Sequence, residues 1–186
     1  MHAFEDRAFS WLAIGLVVML ASRVMVPPVP PAPPAPSPRE AIPGIVDLPM
    51  PSRVTLVAEA IATSEGYYAP GVYRGHSLAY VLNNPGLLKA TPIAGDDLPT
   101  WRDTGLLVFD TSESGWTALR HQVCLMLTGA SRQYDPRDSL HAVGLKYADG
   151  DGAWAVNVAK YLRVSPQTTL ATLGGGLPAD LTCLAS

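Results

Sequence analysis

The sequence of 186 residues predicts a mainly α-helical domain with a minor β-hairpin, preceded by one transmembrane helix and a proline-rich linker. Three observations predict this class. Apolar residues recur at helical spacing through most of the chain after Pro49, a long apolar run stands near the N-terminus, and a proline-rich stretch separates the two. The length leaves room for one modest domain and its appendages.

The apolar run extends from Ala8 to Val26 and is interrupted only by Arg23. Its length is close to the roughly 20 residues that a helix needs to cross a bilayer. We expect an uncleaved membrane anchor here. A cleaved signal peptide is the alternative, but the acidic pair Glu5-Asp6 and the lack of a small-x-small site before Arg23 disfavour it. Arg7 and Arg23 flank the run almost evenly, so charge does not decide its orientation.

The linker contains Pro27 to Pro38, which read PPVPPAPPAPSP. Such a stretch favours extended polyproline II and spans up to roughly 35 to 40 Å at about 3.1 Å per residue. We expect a semi-rigid spacer, because no flanking arginine pattern supports a role as an SH3-type ligand. The predicted organisation is an anchor at residues 1–26, a linker at 27–50, a domain at 51–173 and a glycine-rich tail at 174–186.

The first predicted helix of the domain carries a carboxylate at its end. We expect it to run from about Ser52, as N-cap, to Glu65, with Gly66 just after its last turn. Glu65 continues the apolar stripe of this helix, which is formed by Val54, Val57, Ala58, Ile61 and Ala62. Burial there would raise the pKa of the carboxyl group, as a general acid near neutral pH requires. Alternatively, Glu65 lies at the rim of the core, salt-bridged or solvated. Glu59 lies on the other face and lacks that setting.

A long loop is predicted to follow, and it could form one side of a groove. It contains several tyrosines and a turn, namely Tyr67, Tyr68, Tyr73, Tyr80 and Asn83-Asn84-Pro85-Gly86. The apolar run Leu106 to Phe109 is typical of one strand of a small hairpin. Its turn is expected at Gly95-Asp96-Asp97 or at Asp103-Thr104-Gly105.

Four helices are predicted in the second half of the domain. Asp110 and Glu113 have the spacing of a capping box, and Gly129 is a stop signal. Asp135-Pro136 and Ser165-Pro166 are typical helix starts. The expected helices are 110–128, 135–148, 152–163 and 165–173. We expect the large aromatic side chains Trp116, Trp154 and Phe109 in the core rather than as ligand platforms.

Charge, histidine and cysteine content exclude some functions and leave others open. The net charge of −3 provides no basic field for nucleic acid. The four histidines are scattered, so we predict no metal site and no cofactor. Cys124 and Cys183 could form one disulfide if the domain faces an oxidising compartment, or they could remain two thiols.

Several short motifs together resemble small lysozyme-like proteins of the lytic transglycosylase superfamily, which occur in bacteria and as virion-associated peptidoglycan enzymes. These motifs are Glu65-Gly66-Tyr67-Tyr68, Asn83-Asn84-Pro85-Gly86, Phe109-Asp110 and Gly115-Trp116-x-Ala118-Leu119, and the likeness covers about residues 55 to 173. The resemblance implies a lysozyme-like α+β fold with a glycan groove between two lobes. It also implies that Glu65 is the catalytic acid.

In that family's chemistry, the acid protonates the bridging oxygen of the β-1,4 bond between N-acetylmuramic acid and N-acetylglucosamine. The same carboxylate then activates the sugar's own 6-hydroxyl group, and a 1,6-anhydro product forms. A hydrolase would need a second carboxylate, about 5 to 5.5 Å away if retaining and about 6.5 to 9.5 Å if inverting. Nothing in the sequence ranks Asp96, Asp97 or Asp103 for that role, so we favour the transglycosylase outcome.

Further site residues are predicted from the same resemblance. Asn84 could hydrogen-bond a sugar amide or orient Glu65, although a plain turn-former is an equal alternative. Tyr67, Tyr68, Tyr134 and Tyr147 are candidates for stacking on or positioning a sugar. The chain departs from the family around the turn, where Tyr80-Val81-Leu82 precede it and Leu87-Leu88 follow it, which would reduce the polar lining of the groove. The segment 148–152 also departs from its relatives.

The sequence thus predicts a membrane-anchored peptidoglycan lytic transglycosylase whose domain lies outside the cytoplasm. Its partners would be peptidoglycan glycan strands, the lipid membrane, and assembly partners in a cell envelope or a membrane-containing phage particle. A non-catalytic lysozyme-like structural or adaptor protein is the alternative. An energy-transducing or secretion-system adaptor is less favoured, because the spacer lacks interspersed charges.

Overall fold

A computed structural model describes residues 44–90, 99–148, 150, 152–175 and Cys183. The predicted anchor, most of the predicted linker and most of the predicted tail lie outside these residues, as do Asp96 and Asp97. Within the described residues, no helix has the length and apolar character needed to cross a membrane.

The described chain is mainly helical and has one small antiparallel sheet, which confirms the predicted class at this level. The α-helices are α1 (Met50–Ser64), α2 (Leu78–Val81), α3 (Ser112–Thr128), α4 (Leu140–Tyr147), α5 (Gly152–Leu162) and α6 (Leu170–Gly174). The strands are β1 (Thr100–Trp101) and β2 (Leu106–Leu107), and two 3-10 turns occupy Ile45–Asp47 and Arg102–Thr104.

Helix α1 is the centre of the domain. It packs against α5, α3 and α6, and its buried residues are Val54, Leu56, Val57, Ala58, Ala60, Ile61 and Ala62. The small alanines let neighbouring helices approach closely. Residues outside the predicted apolar stripe of α1 are therefore buried as well. The N-cap prediction for Ser52 was wrong, because the helix begins at Met50 after Pro49. Pro51 suits the first turn, where its missing N–H group costs no hydrogen bond.

The predicted end of α1 is confirmed. Glu65 is the C-cap residue, and its backbone N–H group donates to the carbonyl oxygen of Ile61. Gly66 follows with a φ of 72°, in the left-handed region that glycine adopts without steric cost.

The predicted long loop contains a short helix, α2, which sequence analysis missed. Ser77 caps it by accepting a hydrogen bond from the backbone nitrogen of Tyr80. A helix of four residues shows no periodicity in sequence. It is stabilised here by the burial of Ala79 and Tyr80.

The hairpin is confirmed, and its turn is the one predicted at Asp103-Thr104-Gly105. Thr100 pairs with Leu107 and Trp101 pairs with Leu106, while Gly105 has a φ of 70°. The strand is shorter than the apolar run Leu106 to Phe109. The N–H group of Val108 still donates to Pro99, next to β1, whereas that of Phe109 donates to Leu82.

Helix α3 ends at Gly129 as predicted, with a φ of 75° at that residue. The predicted capping box was wrong by one residue, because Thr111 is the N-cap and accepts from the backbone nitrogen of Ser114. The Glu113 side chain instead forms an exposed ion pair with Arg120 at 3.1 Å. Cys124 on this helix forms a disulfide with Cys183, which resolves the alternative left open by the sequence.

Helices α4 and α6 begin later than predicted, at Leu140 and Leu170. Ser139 and Thr169 are their N-caps, and these two residues form an antiparallel bridge. The two segments exchange matched hydrogen bonds, from Leu140 to Thr168 and from Leu170 to Asp138. This extended pairing keeps the residues after each proline out of the helices, so the Asp-Pro and Ser-Pro pairs open turns instead. Helix α5 matches its prediction to within one residue.

Candidate active site

The candidate site is built around Glu65, at the C-terminal end of the buried helix α1. Its side chain is partly exposed. The indole nitrogen Nε1 of Trp154, near the start of α5, donates a hydrogen bond of 2.9 Å to Oε1 of Glu65. Ser64 reinforces the same contact, since its Oγ donates to the backbone carbonyl of Trp154 at 3.5 Å. The carboxylate is therefore held at the junction of α1 and α5.

Tyr147 connects Trp154 to the Asn-Pro-Gly turn. Its ring stacks on Trp154 with the ring centroids 5.0 Å apart, and its hydroxyl group donates a hydrogen bond to the carbonyl oxygen of Gly86. Burial, followed by the negative charge of Glu65, raises the pKa of Tyr147 well above its ordinary value of 10.0. The phenol therefore stays neutral and remains a hydrogen-bond donor. A continuous series of contacts thus runs from the turn through Tyr147 and Trp154 to Glu65.

Asn84 of this turn is fully buried, at 0% exposure. Its Nδ2 group donates to the backbone carbonyls of Leu88 and Leu107, both at 2.9 Å. Its Oδ1 accepts from the backbone nitrogen of Leu88 at 2.8 Å. The amide therefore binds the turn to strand β2, as a turn-forming residue does. The predicted contact of Asn84 with a sugar or with Glu65 finds no support in this geometry.

Two of the predicted sugar-binding tyrosines lie in the core. Tyr67 is 2% exposed and Tyr134 is 4% exposed, and the hydroxyl of Tyr67 lies 2.8 Å from Oγ of Ser112. Neither ring therefore has a face available for stacking on a sugar. The sequence placed them beside polar and turn residues, whereas packing between helices draws such large rings into the interior.

Tyr68 and Tyr147 are partly exposed. The ring of Tyr68 packs edge-on against Tyr67, with the centroids 5.2 Å apart. Burial, with a smaller effect of the nearby Glu59 carboxylate, raises the pKa of Tyr68 to about 12. Tyr147 stacks on Trp154, the residue that donates to Glu65. Tyr68 lies near Glu59 instead. Tyr147 is thus connected to the candidate acid through Trp154.

Helix α3 supports the turn through glycines that permit close approach. A Cβ atom on Gly86 would lie 2.7 Å from Cδ1 of Leu119 and 2.8 Å from the hydroxyl of Tyr147. A Cβ atom on Gly115 would overlap the carbonyl oxygen of Asn83. The side chain of Asn83 in turn donates to the carbonyl of Phe109 at 3.0 Å. The Asn-Pro-Gly turn, Phe109 and the first turns of α3 are separated in sequence but are in contact in the structure.

Other carboxylates among the described residues have different surroundings. Glu59, also on α1, accepts a hydrogen bond from the hydroxyl of Tyr161 at 3.2 Å. Asp103 is exposed in the turn of the hairpin. Within the described part of the chain, no three histidine, cysteine or acidic side chains are grouped so as to hold a metal ion.

Trp154 is the site residue that sequence analysis did not identify. We expected it in the core, and it is only 4% exposed, but its Nε1 also binds the candidate acid. A buried indole normally finds an acceptor for its N–H group. That rule indicates that the indole has a hydrogen-bond acceptor. The acceptor, Glu65, is 89 residues from Trp154 in sequence, so no local pattern identifies it.

The arrangement suits proton transfer to and from a bound molecule. Glu65 is a partly exposed carboxylate whose position is set by a donor that does not titrate, and such a group can give up and recover a proton. No protein-family model, curated protein or solved structure matches the chain. A functional assignment therefore depends on this geometry together with the sequence motifs.

Proposed function

We propose that the protein is a membrane-anchored peptidoglycan lytic transglycosylase in which Glu65 is the catalytic acid and base. The observation that carries the proposal is the placement of Glu65, at the end of the central helix with Oε1 held by Trp154. The resemblance of the surrounding motifs to lytic transglycosylases supplies the substrate class. The cleaved bond is the β-1,4 link from N-acetylmuramic acid to N-acetylglucosamine.

The reaction has two proton transfers and consumes no water. Protonated Glu65 gives its proton to the bridging oxygen as the bond from C1 of the muramic acid to that oxygen breaks. The ionised carboxylate then takes the proton of the 6-hydroxyl group of the same sugar as O6 bonds to C1. The product is a 1,6-anhydro sugar, and Glu65 returns to its protonated form.

We favour this outcome over hydrolysis because the resemblance to lytic transglycosylases assigns both proton transfers to a single carboxylate. A hydrolase of this type uses a second carboxylate across the scissile bond. Glu59 accepts a bond from Tyr161 beside Tyr68, and Asp103 is exposed in the hairpin turn. A single carboxylate is sufficient when the nucleophile belongs to the substrate.

The proposed location is the extracytoplasmic side of a membrane, either of a bacterial cell or of a phage particle. The apolar run Ala8 to Val26 and the proline-rich stretch support an anchor and a spacer. The Cys124–Cys183 disulfide supports an oxidising compartment, where such bonds persist. The proposed partners are glycan strands, the lipid membrane, and envelope or virion assembly proteins.

A second candidate is a non-catalytic lysozyme-like structural or adaptor protein in the same assemblies. The loop after the turn favours it, because Leu87 and Leu88 stand where a polar groove lining would be expected. The buried amide of Asn84 likewise stabilises the loop rather than facing a ligand.

The test is turnover of purified peptidoglycan by the full chain in detergent, with products identified by mass spectrometry. The variant Glu65→Gln has nearly the same shape, and Glu59→Gln is its matched control on the same helix. Anhydro-muropeptides formed by the wild type and by Glu59→Gln, but not by Glu65→Gln, would support the proposal. Products with a free reducing end would indicate a hydrolase, and a folded wild-type chain without any turnover would favour the adaptor.

A further inference from the structure

We propose that a surface outside the candidate active site binds the carboxylate groups of the short peptides attached to N-acetylmuramic acid. The surface consists of two aromatic rings and two arginines, namely Tyr73, Trp101, Arg74 and Arg102, and we call it the arginine–aromatic surface. It is formed by the connection between α1 and α2 and by the hairpin. The inference rests on the proposed function, because that function supplies the glycan to which such peptides are attached.

The two rings bring separate segments of the chain together. The ring of Tyr73, between α1 and α2, packs edge-on against Trp101 of β1, with the ring centroids 6.3 Å apart. Both side chains are partly exposed, and Val72 beside Tyr73 is 91% exposed. The ring pair is therefore open to solvent and is not part of the core.

A two-residue turn places Arg74 at the end of its loop. Tyr73 and His76 form an antiparallel bridge, in which each backbone N–H group donates to the carbonyl oxygen of the other residue, at 3.2 and 3.0 Å. Arg74 and Gly75 between them both have positive φ, of 53° and 86°, as a type I′ turn requires. Both are exposed. The turn therefore presents Arg74 to solvent next to Tyr73.

Arg102 is held by the indole ring of Trp101. Its Cζ atom lies 4.8 Å from the ring centroid, which is a cation–π contact. A guanidinium over a ring contacts it through its face and keeps the N–H groups at its edge for a carboxylate. The indole N–H group of Trp101 is a further donor, and no acceptor for it lies in the part of the chain that the structure describes.

The two arginines have no anionic partner among the described residues. Neither Arg74 nor Arg102 forms an ion pair there, whereas the equally exposed Arg137 is paired with Asp135 at 2.7 Å. Asp103 follows Arg102 and is exposed, but the two do not pair. In a chain of net charge −3, two neighbouring cations of this kind form a local site complementary to an anion.

The rings and the expected spacer favour a peptide over a lipid headgroup. Arginine binds both carboxylate and phosphate, so the guanidinium groups alone do not separate the two. Aromatic side chains pack well against the apolar parts of a peptide or a sugar. The proline-rich spacer, of up to roughly 35 to 40 Å, would hold the domain away from the bilayer. The surface would then distinguish glycan that carries peptides from bare glycan.

The first experiment is an NMR titration of the full chain in detergent with a soluble muropeptide, the disaccharide carrying a tetrapeptide. Glu65→Gln is the parent protein throughout, so that the muropeptide is not cleaved. The Nε1–H signal of Trp101, identified by its loss in Trp101→Phe, should shift on binding. In this parent, Arg74→Gln and Arg102→Gln should each raise Kd about 3- to 10-fold, because each removes a charge-assisted hydrogen bond at an exposed site.

The matched control is Arg137→Gln, because Arg137 is equally exposed but already paired with Asp135. It should leave Kd unchanged. Asp103→Asn should lower Kd about twofold, since it removes a negative charge beside Arg102. Equal Kd values for the parent, Arg74→Gln and Arg102→Gln would overturn the inference.

A second set of titrations varies the ligand and needs no further variant. The same muropeptide with its carboxylates amidated, and the disaccharide without peptide, should both bind about 10-fold more weakly to the parent. Charged and amidated muropeptides that bind equally well would refute the surface. Tighter binding of a short-chain phosphatidylglycerol than of the muropeptide would also refute it, because the surface would then be a lipid site.

Turnover separates this inference from the proposed function. If the wild type is inactive on peptidoglycan but the parent binds the muropeptide through Arg74 and Arg102, the function fails and the surface stands. If the wild type forms anhydro-muropeptides but the double variant Arg74→Gln, Arg102→Gln binds as tightly as the parent, the surface fails and the function stands.

Discussion

A Cβ atom placed on Gly115 would occupy the position of the backbone carbonyl oxygen of Asn83. Helix α3 therefore touches the Asn-Pro-Gly turn backbone to backbone, and neither partner can move aside as a flexible side chain would. This contact places the turn beside Leu119 and, through Gly86, beside Tyr147. The position of Gly115 in the motif Gly-Trp-x-Ala-Leu thus has a steric reason.

The variant Gly115→Ala should be strongly destabilised, by about 3 kcal/mol or more, because overpacking against rigid backbone is costly. Urea unfolding followed by circular dichroism would measure the loss. Gly152→Ala is the matched control, since Gly152 begins α5 and a Cβ atom there meets nothing within 4 Å. The control should be neutral or slightly more stable. Equal stability of the two variants would show that the turn does not contact α3 as described.

The variant Asn84→Asp tests the role of the buried amide. An aspartate would leave the carbonyls of Leu88 and Leu107 without their donor and would place a carboxylate among carbonyl oxygens. We expect a loss of about 2–5 kcal/mol in the free energy of unfolding. The loss should be larger at pH 7 than at pH 4, since only the ionised form is charged.

Asn83→Asp is the control for that experiment, because Asn83 is only partly buried and donates mainly to Phe109. Its loss should be clearly smaller. If both variants unfold at the same urea concentration, Asn84 does not have the structural role assigned to it.

Alkaline pH should destabilise the domain through its buried tyrosines. Burial, with a smaller effect of Asp138, raises the pKa of Tyr134 from its ordinary 10.0 to about 12. An unfolded tyrosine ionises near pH 10, so the stability that neutral Tyr134 contributes is complete below pH 10 and is lost as the pH rises from 10 to 12. Tyr134→Phe should therefore lose less stability than the wild type between pH 9 and 11.5, by on the order of 1–2 kcal/mol. Tyr73→Phe, which changes a partly exposed ring, should behave as the wild type does.

Reduction of the Cys124–Cys183 disulfide should lower the melting temperature. The bond closes a loop with a sequence separation of 59 residues, and the chain-entropy relation gives a contribution of about 4 kcal/mol for a loop of this size. The measurement is thermal unfolding with and without reductant. The double variant Cys124→Ser, Cys183→Ser should melt at the temperature of the reduced wild type and should not respond to reductant. A wild type that does not respond to reductant either would contradict the bond.

Much of the fold was predictable because it depends on local sequence. Gly66 and Gly129 follow helix ends where a positive φ is needed, and Asp103-Thr104-Gly105 forms the hairpin turn. Helix starts were less accurate. Asp135-Pro136 and Ser165-Pro166 have the residue types of a helix start, but the pairing of Ser139 with Thr169 delays both helices. That pairing joins segments 30 residues apart and has no local signature.

In the candidate site, too, some features depend on local sequence and others on contacts between distant segments. The sequence by itself determined that Glu65 ends a helix, because apolar spacing and Gly66 are local signals. Only the tertiary structure decided that Tyr67 and Tyr134 are buried, that Asn84 binds backbone, and that Trp154 holds Oε1 of Glu65. The physical reason is that each of these outcomes depends on which helices pack together, and the hydrogen bond of Trp154 spans 89 residues of sequence.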